Sequence, residues 1–219
     1  MDGLVRVLAE GLEGCLLQVH FKYGGAVWAR QGTEELGGVP GRSRTEDAEI
    51  GIDRVCDQIY RDWAKQEWLP IRFYSEHGTY GRQREPQGFG FVDPFDGSGY
   101  FRRGIPFEQF SVVSILDRDG APLVGGAVDL IRQELFMAVG GEVRVTLLTS
   151  GCSRRVAVSD KKDLSGEPVL ASYFGDPSYL ADWATVAQKI KERFPKLRFW
   201  PHGGSCVYPW LAAGRIHAY

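Results

Sequence analysis

The sequence has little of what marks a membrane protein, a secreted scaffold or a nucleic-acid binder. No run approaches the roughly 20 apolar residues of a spanning helix, and Met1-Asp2-Gly3 lacks the basic-then-apolar opening of a secretory leader. Cysteine is sparse: Cys15, Cys56, Cys152 and Cys206 stand far apart and form no Cys-x-x-Cys pair. That spacing argues against a disulfide framework and against a zinc site. The expectation is a reducing cytoplasm, with all four cysteines as small core residues. Net charge is nearly absent. With 26 basic against 28 acidic residues the formal charge is -2, which gives no footprint for a nucleic-acid polymer. Arg102-Arg103 and Lys161-Lys162 read as solvated surface charge. Repeats and low-complexity tracts are missing, and the 28 glycines follow no three-residue period, so a collagen-like chain is excluded.

What is present is a globular composition. A length of 219 residues suits one large domain or two small ones, and 43 % hydrophobic content is too high for a disordered chain. Residues 4–29 show helical spacing, with Leu12, Leu16, Val19, Tyr23 and Val27 on one face and Gly24-Gly25 weakening the end. Residues 32–44 read as a loop. A second helical pattern opens at Thr45-Glu46-Asp47, runs through Ile52, Val55, Ile59 and Trp63, and stops at Pro70. Short strands follow at 71–74 and 90–92, separated by a turn-rich stretch at 76–87. A meander is expected over 110–116, 123–130, 134–139 and 143–148, with a hairpin turn at Asp117-Arg118-Asp119-Gly120. Further strands are expected at 156–158, 168–173 and 197–200. Helices are expected at 178–194, with Ser178 as N-cap, and at 205–213, with Pro209 a kink or a first-turn residue. Mixed strands and helices make an α/β or α+β layered fold.

The chemistry concentrates in Asp93-Pro94-Phe95-Asp96-Gly97-Ser98. Pro94 fixes its own φ and restricts Asp93 to extended geometry. Gly97 permits a tight turn and a close ligand approach. A strand ending in two carboxylates can hold hard divalent cations, and the N–H groups of Gly97 and Ser98 can hold a phosphate. These are the parts of metal-assisted phosphoryl transfer. Asp96-Gly97 alone would be an ordinary turn; the whole hexapeptide is far rarer by chance. Asp117 and Asp119 read as a solvated hairpin turn.

At these residues the sequence resembles the inositol monophosphatase-like phosphatases, a magnesium-dependent, lithium-sensitive superfamily that includes fructose-1,6-bisphosphatases and bisphosphate nucleotidases. Asp93 to Ser98 match its Asp-Pro-φ-Asp-Gly-Ser/Thr motif. The likeness extends to Tyr100–Phe107, to Phe110–Ile115, to Gly120–Phe136, to Gly204-Ser205-Cys206 and to Leu211–Tyr219. The resemblance implies alternating helix and sheet layers, an αβαβα sandwich, divided as residues 1–145 and 146–219. It also implies two or three Mg²⁺ per active site, hydrolysis of a small phosphorylated polyol or sugar by in-line attack of a metal-activated water, and a homodimer. Inositol monophosphate is the default substrate; a fructose bisphosphate or a 3'(2'),5'-bisphosphate nucleotide would use the same metal core.

By that resemblance Glu76, in Ser75-Glu76-His77, ligates the first metal, Asp93 bridges two metals, Asp96 binds the second and the Phe95 carbonyl completes the set. His77 stands where a second Glu is common. It reads either as an exposed loop histidine or as a less suitable metal ligand. Ser98 matches the hydroxyl that holds the attacking water, and Asp47 matches its aspartate. Asp47 reads equally as a helix-start residue, and Glu49, four before Asp53, resembles part of the same pattern. Asp96, Gly97, Ser98, Gly204, Ser205 and Cys206 line the expected substrate side, and His202 reads as a surface residue. The Trp-Asp motif that follows in the family is not found after Tyr219, so the expectation is an incomplete C-terminal part, with a metal- and phosphate-binding module lacking turnover as the competing reading.

Overall fold

The computed structural model describes residues 2–38, 48–66, 68–160, 167–172, 177–200 and 203–219. Contacts divide the chain into two units, Met1–Arg155 and Val156–Tyr219.

The first unit opens with α1 (Asp2–Ala29). Gly24 and Gly25 each cost roughly 1 kcal/mol of helix propensity. Leu8, Leu12, Leu16 and Val19 are wholly buried on one face, and each contributes roughly 1.5–3 kcal/mol on burial. Packing therefore outweighs propensity and the helix runs through the glycines. Next come β1 (Glu35–Gly38), β2 (Ala48–Ile50) and α2 (Gly51–Gln66). The helix expected from Thr45 starts instead at Gly51. Asp53 sets this start: its Oδ2 accepts the Ile50 N–H at 2.8 Å, the back-reaching half of a capping box. β1 and β2 pair antiparallel, so part of the expected loop is a strand.

The remaining strands are β3 (Ile71–Ser75), β4 (Gly78–Gly81), β5 (Gly88–Asp96), β6 (Phe110–Asp117), β7 (Pro122–Asp129), β8 (Glu134–Val139), β9 (Glu142–Leu147) and β10 (Cys152–Val156), with the short helix α3 (Ser98–Arg102) after β5. They form one eight-stranded sheet in the order β10-β9-β8-β7-β6-β5-β3-β4. β3 and β5 run parallel, while β5 through β9 form an antiparallel meander. α1 and α2 bury Cys56, Tyr60 and Trp63 against Phe73, Val92, Val113, Ile115 and Val128 on one face of this sheet. The hairpin turn at Asp117 forms as expected, with its Oδ1 accepting the N–H groups of Asp119 and Ala121. β4 occupies part of the stretch expected to be turns. β10 lies ahead of the expected strand and leaves Cys152 exposed, which corrects the expectation of four core cysteines.

In the second unit β11 (Val169–Ala171) and β12 (Arg198–Trp200) pair parallel, with α4 (Pro177–Arg193) between them in sequence. A parallel pair needs such a crossover. α4 opens on Pro177 rather than being capped by Ser178; a proline suits the first helical position, where no N–H is required. His217 extends β11: its N–H donates to the Val169 carbonyl at 2.8 Å and its Nδ1 accepts the Val169 N–H at 3.0 Å. α5 (Val207–Ala212) carries Pro209 in its first turn. Among the described residues, no helix is long and apolar enough to cross a membrane.

Candidate active site

The hexapeptide at 93–98 is the end of β5 and the start of α3. In a regular strand, residues three apart face opposite sides of the sheet. Asp93 pairs with Val112 and Asp96 pairs with Phe110, so three steps on β5 match two on β6. This bulge sets Pro94 and Phe95 opposite Ser111 alone. Val112 and Phe110 share a face, and therefore Asp93 and Asp96 share it too. A proline fits here because a bulge is where a sheet tolerates a missing N–H.

Phe95 turns to the opposite side and is 1 % exposed. Its ring lies edge-on to Phe101 at 5.4 Å and tilted against Tyr23 at 6.2 Å. Burial, with the Asp129 charge adding to it, pushes the Tyr23 phenol up to about 12. The aromatic residue of the motif thus anchors the segment to the core while the carboxylates take the other face. Gly97 then turns the chain at φ 91° and ψ 19°. Its carbonyl accepts the N–H groups of Tyr100 and Phe101, both at 3.0 Å. A Cβ at Gly97 would run into the Glu108 carbonyl oxygen. α3 has no side-chain cap, so its first-turn amides have no capping side chain to satisfy them.

Glu76 enters through the parallel pair. Ser75 is in register with Val92, so Glu76 and Asp93 are the next residues at the same end of neighbouring strands. Glu76 and His77 form the two-residue turn between β3 and β4, closed by Gly78 at φ 117°. The His77 side chain is only 8 % exposed, which corrects its reading as an exposed loop histidine. Its Nε2 lies 3.5 Å from Glu76 Oε1, and its Nδ1 lies 3.8 Å from Glu49 Oε1. Arg54 holds Glu49 with two hydrogen bonds, Nε to Oε1 at 3.0 Å and Nη2 to Oε2 at 2.9 Å. Those bonds keep the Glu49 carboxyl below the usual glutamate range; the charges of His77 and Arg54 act the same way, and burial opposes them.

A second network lies under the same turn. Ser75 Oγ donates to Asp57 Oδ1 at 2.8 Å, and Arg61 Nε donates to Asp57 Oδ2 at 2.5 Å. Arg61 Nη2 also donates to the His77 carbonyl at 3.0 Å, and the His77 N–H donates to Ser75 Oγ at 3.2 Å. The Asp57 side chain is 5 % exposed, so its charge is held by defined partners rather than by water.

The structure therefore brings Glu76, Asp93, Phe95, Asp96, Gly97 and Ser98 to one end of the β3–β5 pair. Asp47 lies outside the described residues, as do Lys161, Lys162 and His202. Gly204, Ser205 and Cys206 belong to the second unit, in the turn before α5; Ser205 is 9 % exposed and Cys206 has no exposed surface. Asp57 and Arg61 are not among the site residues expected from the sequence. Their signal was available: a carboxylate beside Cys56 on the apolar face of α2, with an arginine four residues on. All the carboxylates at the strand ends are hard oxygen donors, a chemistry that fits Mg²⁺. Among the described residues, however, no three His, Cys, Asp or Glu side chains converge as a ready cation cage.

Comparison with known proteins gives the fold. The Bartonella henselae extragenic suppressor protein suhB superposes with a TM-score of 0.67 at 22 % identity, over 93 % of this chain and 74 % of that one. CysQ from Bacteroides thetaiotaomicron, a bacterial member of the inositol monophosphatase family, superposes with a TM-score of 0.61 at 16 % identity, over 93 % of this chain and 77 % of that one. The chain has the inositol monophosphatase fold. One curated relative, Nus factor SuhB of Pasteurella multocida, is 28 % identical over 123 residues. That match spans 56 % of this chain and 43 % of the relative, so the chain matches less than half of the relative's length. No protein-family model matches. The solved structures show the fold, and the curated relative carries the sequence likeness over about half of this chain. The chain spans about three quarters of the length of these solved structures.

Proposed function

We propose that this chain is a Mg²⁺-dependent phosphatase that hydrolyses a small phosphorylated polyol or sugar, inositol monophosphate in the first instance. The observation that carries this reading is the β5 bulge. It turns Asp93 and Asp96 onto one face, beside the Glu76 turn and directly before the uncapped start of α3. Carboxylates to hold a cation and amides to hold a phosphate are then neighbours in one short segment.

Asp93, Asp96 and Glu76 would hold the cation through their carboxylate oxygens, joined by the carbonyl of Phe95 from the same bulge. Bound Mg²⁺ would supply Lewis-acid polarisation of a phosphoryl oxygen and lower the pKa of a water. The N–H groups of Gly97 and Ser98, at the start of α3, would orient the phosphoryl oxygens. Ser98 Oγ would accept or donate a hydrogen bond to the attacking water and so fix its line of approach. Glu49, whose Oε1 lies 3.8 Å from His77 Nδ1, would share the water-orienting role that the resemblance gives to Asp47. Held ionised by Arg54, it would orient a water by accepting its proton in a hydrogen bond rather than by taking the proton outright.

Asp93→Asn should abolish Mg²⁺ binding and turnover together. Near-normal turnover by that variant would sink the reading. The competing reading, a cation- and phosphate-binding module without turnover, is supported by the altered pair Glu76-His77, where a second Glu is common in the family it resembles. It expects Mg²⁺ binding by calorimetry and no phosphate release.

A further inference from the structure

We infer that Tyr60 and Ser111 are positioning residues for Asp93: a buried hydroxyl chain from α2 through β6 holds the bulge that puts Asp93 and Asp96 on one face. The inference rests on the reading of Asp93 as a cation-holding carboxylate, but the chain itself is visible without it.

Both residues are wholly buried. Tyr60 Oη lies 2.6 Å from Ser111 Oγ, and Ser111 Oγ donates to the Asp93 carbonyl at 3.4 Å. A serine hydroxyl carries a single hydrogen. Since that hydrogen goes to the Asp93 carbonyl, Tyr60 must be the donor to Ser111, and the chain has one direction: Tyr60 to Ser111 to Asp93. Burial pushes the Tyr60 phenol well above its ordinary range, so the proton that starts the chain stays on at any ordinary pH.

Ser111 is the one β6 residue opposite both bulge residues, Pro94 and Phe95. Pro94 has no N–H, so the backbone ladder cannot close there by itself. A side-chain hydroxyl at that position supplies a bond to the strand at the point where the register slips. Without it the bulge could relax or move along β5, and one residue of slip would turn a carboxylate to the other face. α2 also holds the other half of the site, because Asp57 binds Ser75 directly before Glu76. Two residues three apart on one helix therefore fix both strand ends that present the carboxylates.

The test separates this positioning role from a core contact with no bearing on the site. Amide hydrogen exchange is measured on residues 95–98 of the metal-free full chain, for wild type, Tyr60→Phe, Ser111→Ala and Ile115→Val. Ile115→Val is a core truncation on the same strand. Loss of one hydrogen bond corresponds to about fivefold in an opening equilibrium. Tyr60→Phe and Ser111→Ala should each raise exchange at 95–98 by about five- to tenfold beyond any change in Ile115→Val. The double variant should add little to Ser111→Ala, because one chain is broken either way. In parallel, the Mg²⁺ concentration that half-saturates the thermal shift should rise by a similar factor in both hydroxyl variants and stay put in Ile115→Val. Exchange at 95–98 that tracks global stability equally in all variants overturns the inference. If wild type gives no Mg²⁺ response, the cation reading of Asp93 fails, and the exchange data still decide the chain.

Discussion

Gly97→Ala isolates the turn that joins the carboxylates to α3. Two costs add at this position. Placing a Cβ at φ 91° costs about 1–2 kcal/mol. The new methyl also meets the Glu108 carbonyl oxygen, a backbone atom that cannot rotate away, and such overpacking typically costs about 1–3 kcal/mol. The expected destabilisation is thus about 2–5 kcal/mol, against a total of about 5–15 for a domain. Gly120→Ala is the matched control. It sits at φ 84° with nothing within 4 Å of its would-be Cβ, so only the conformational part applies. Urea unfolding of the three proteins, followed by tryptophan fluorescence, gives the difference from the midpoints if the slopes agree. Gly97→Ala should lose clearly more stability than Gly120→Ala. Equal losses, or a Gly97→Ala loss below about 0.5 kcal/mol, would refute the close approach on which this account of the turn depends.

Arg61→Leu should cost about 3 kcal/mol in urea unfolding, because it strips the guanidinium that, with Ser75 Oγ, holds the buried Asp57 carboxylate; a change below about 1 kcal/mol would show that water replaces the guanidinium. Glu49 has its carboxyl depressed by Arg54, so its contribution to stability is present above the ordinary glutamate value of 4.5 and is lost as pH falls through the lowered folded value. A pH series of thermal melts should therefore show wild type losing stability below that value, and Arg54→Ala should flatten that part of the curve; parallel curves would contradict the pairing. A thiol reagent should modify Cys152 alone in the native chain and all four cysteines in denaturant, since Cys15, Cys56 and Cys206 are buried and burial pushes the Cys15 thiol up to about 12; mass spectrometry of the labelled chain reads the sites.

Much of the fold was legible because its signals are local. The α1 face, the meander from Phe110 onward and the Asp117 turn follow from periodicity and turn chemistry. The start of α2 was misplaced because acidic residues at Thr45-Glu46-Asp47 look like a helix opening, whereas the true start is fixed by Asp53 reaching back to Ile50. The exposure of Cys152 and the burial of His77 depend on which strand is an edge and which turn is packed, and neither is written in neighbouring residues. In the site, the hexapeptide announced two carboxylates and a turn. It could not announce that a bulge against Ser111 is what sets them on one face, because that needs the register with β6. Asp57, Arg61 and Tyr60 act through contacts between residues up to about fifty positions apart, visible only when the strands are paired.

The central claim is tested most directly by inorganic phosphate release from inositol 1-phosphate by this 219-residue chain, with and without Mg²⁺, and with Li⁺ added. The account predicts release that requires Mg²⁺ and is blocked by Li⁺. No release from the folded chain at saturating Mg²⁺, with inositol 1-phosphate, a fructose bisphosphate and a 3'(2'),5'-bisphosphate nucleotide all offered, would contradict it.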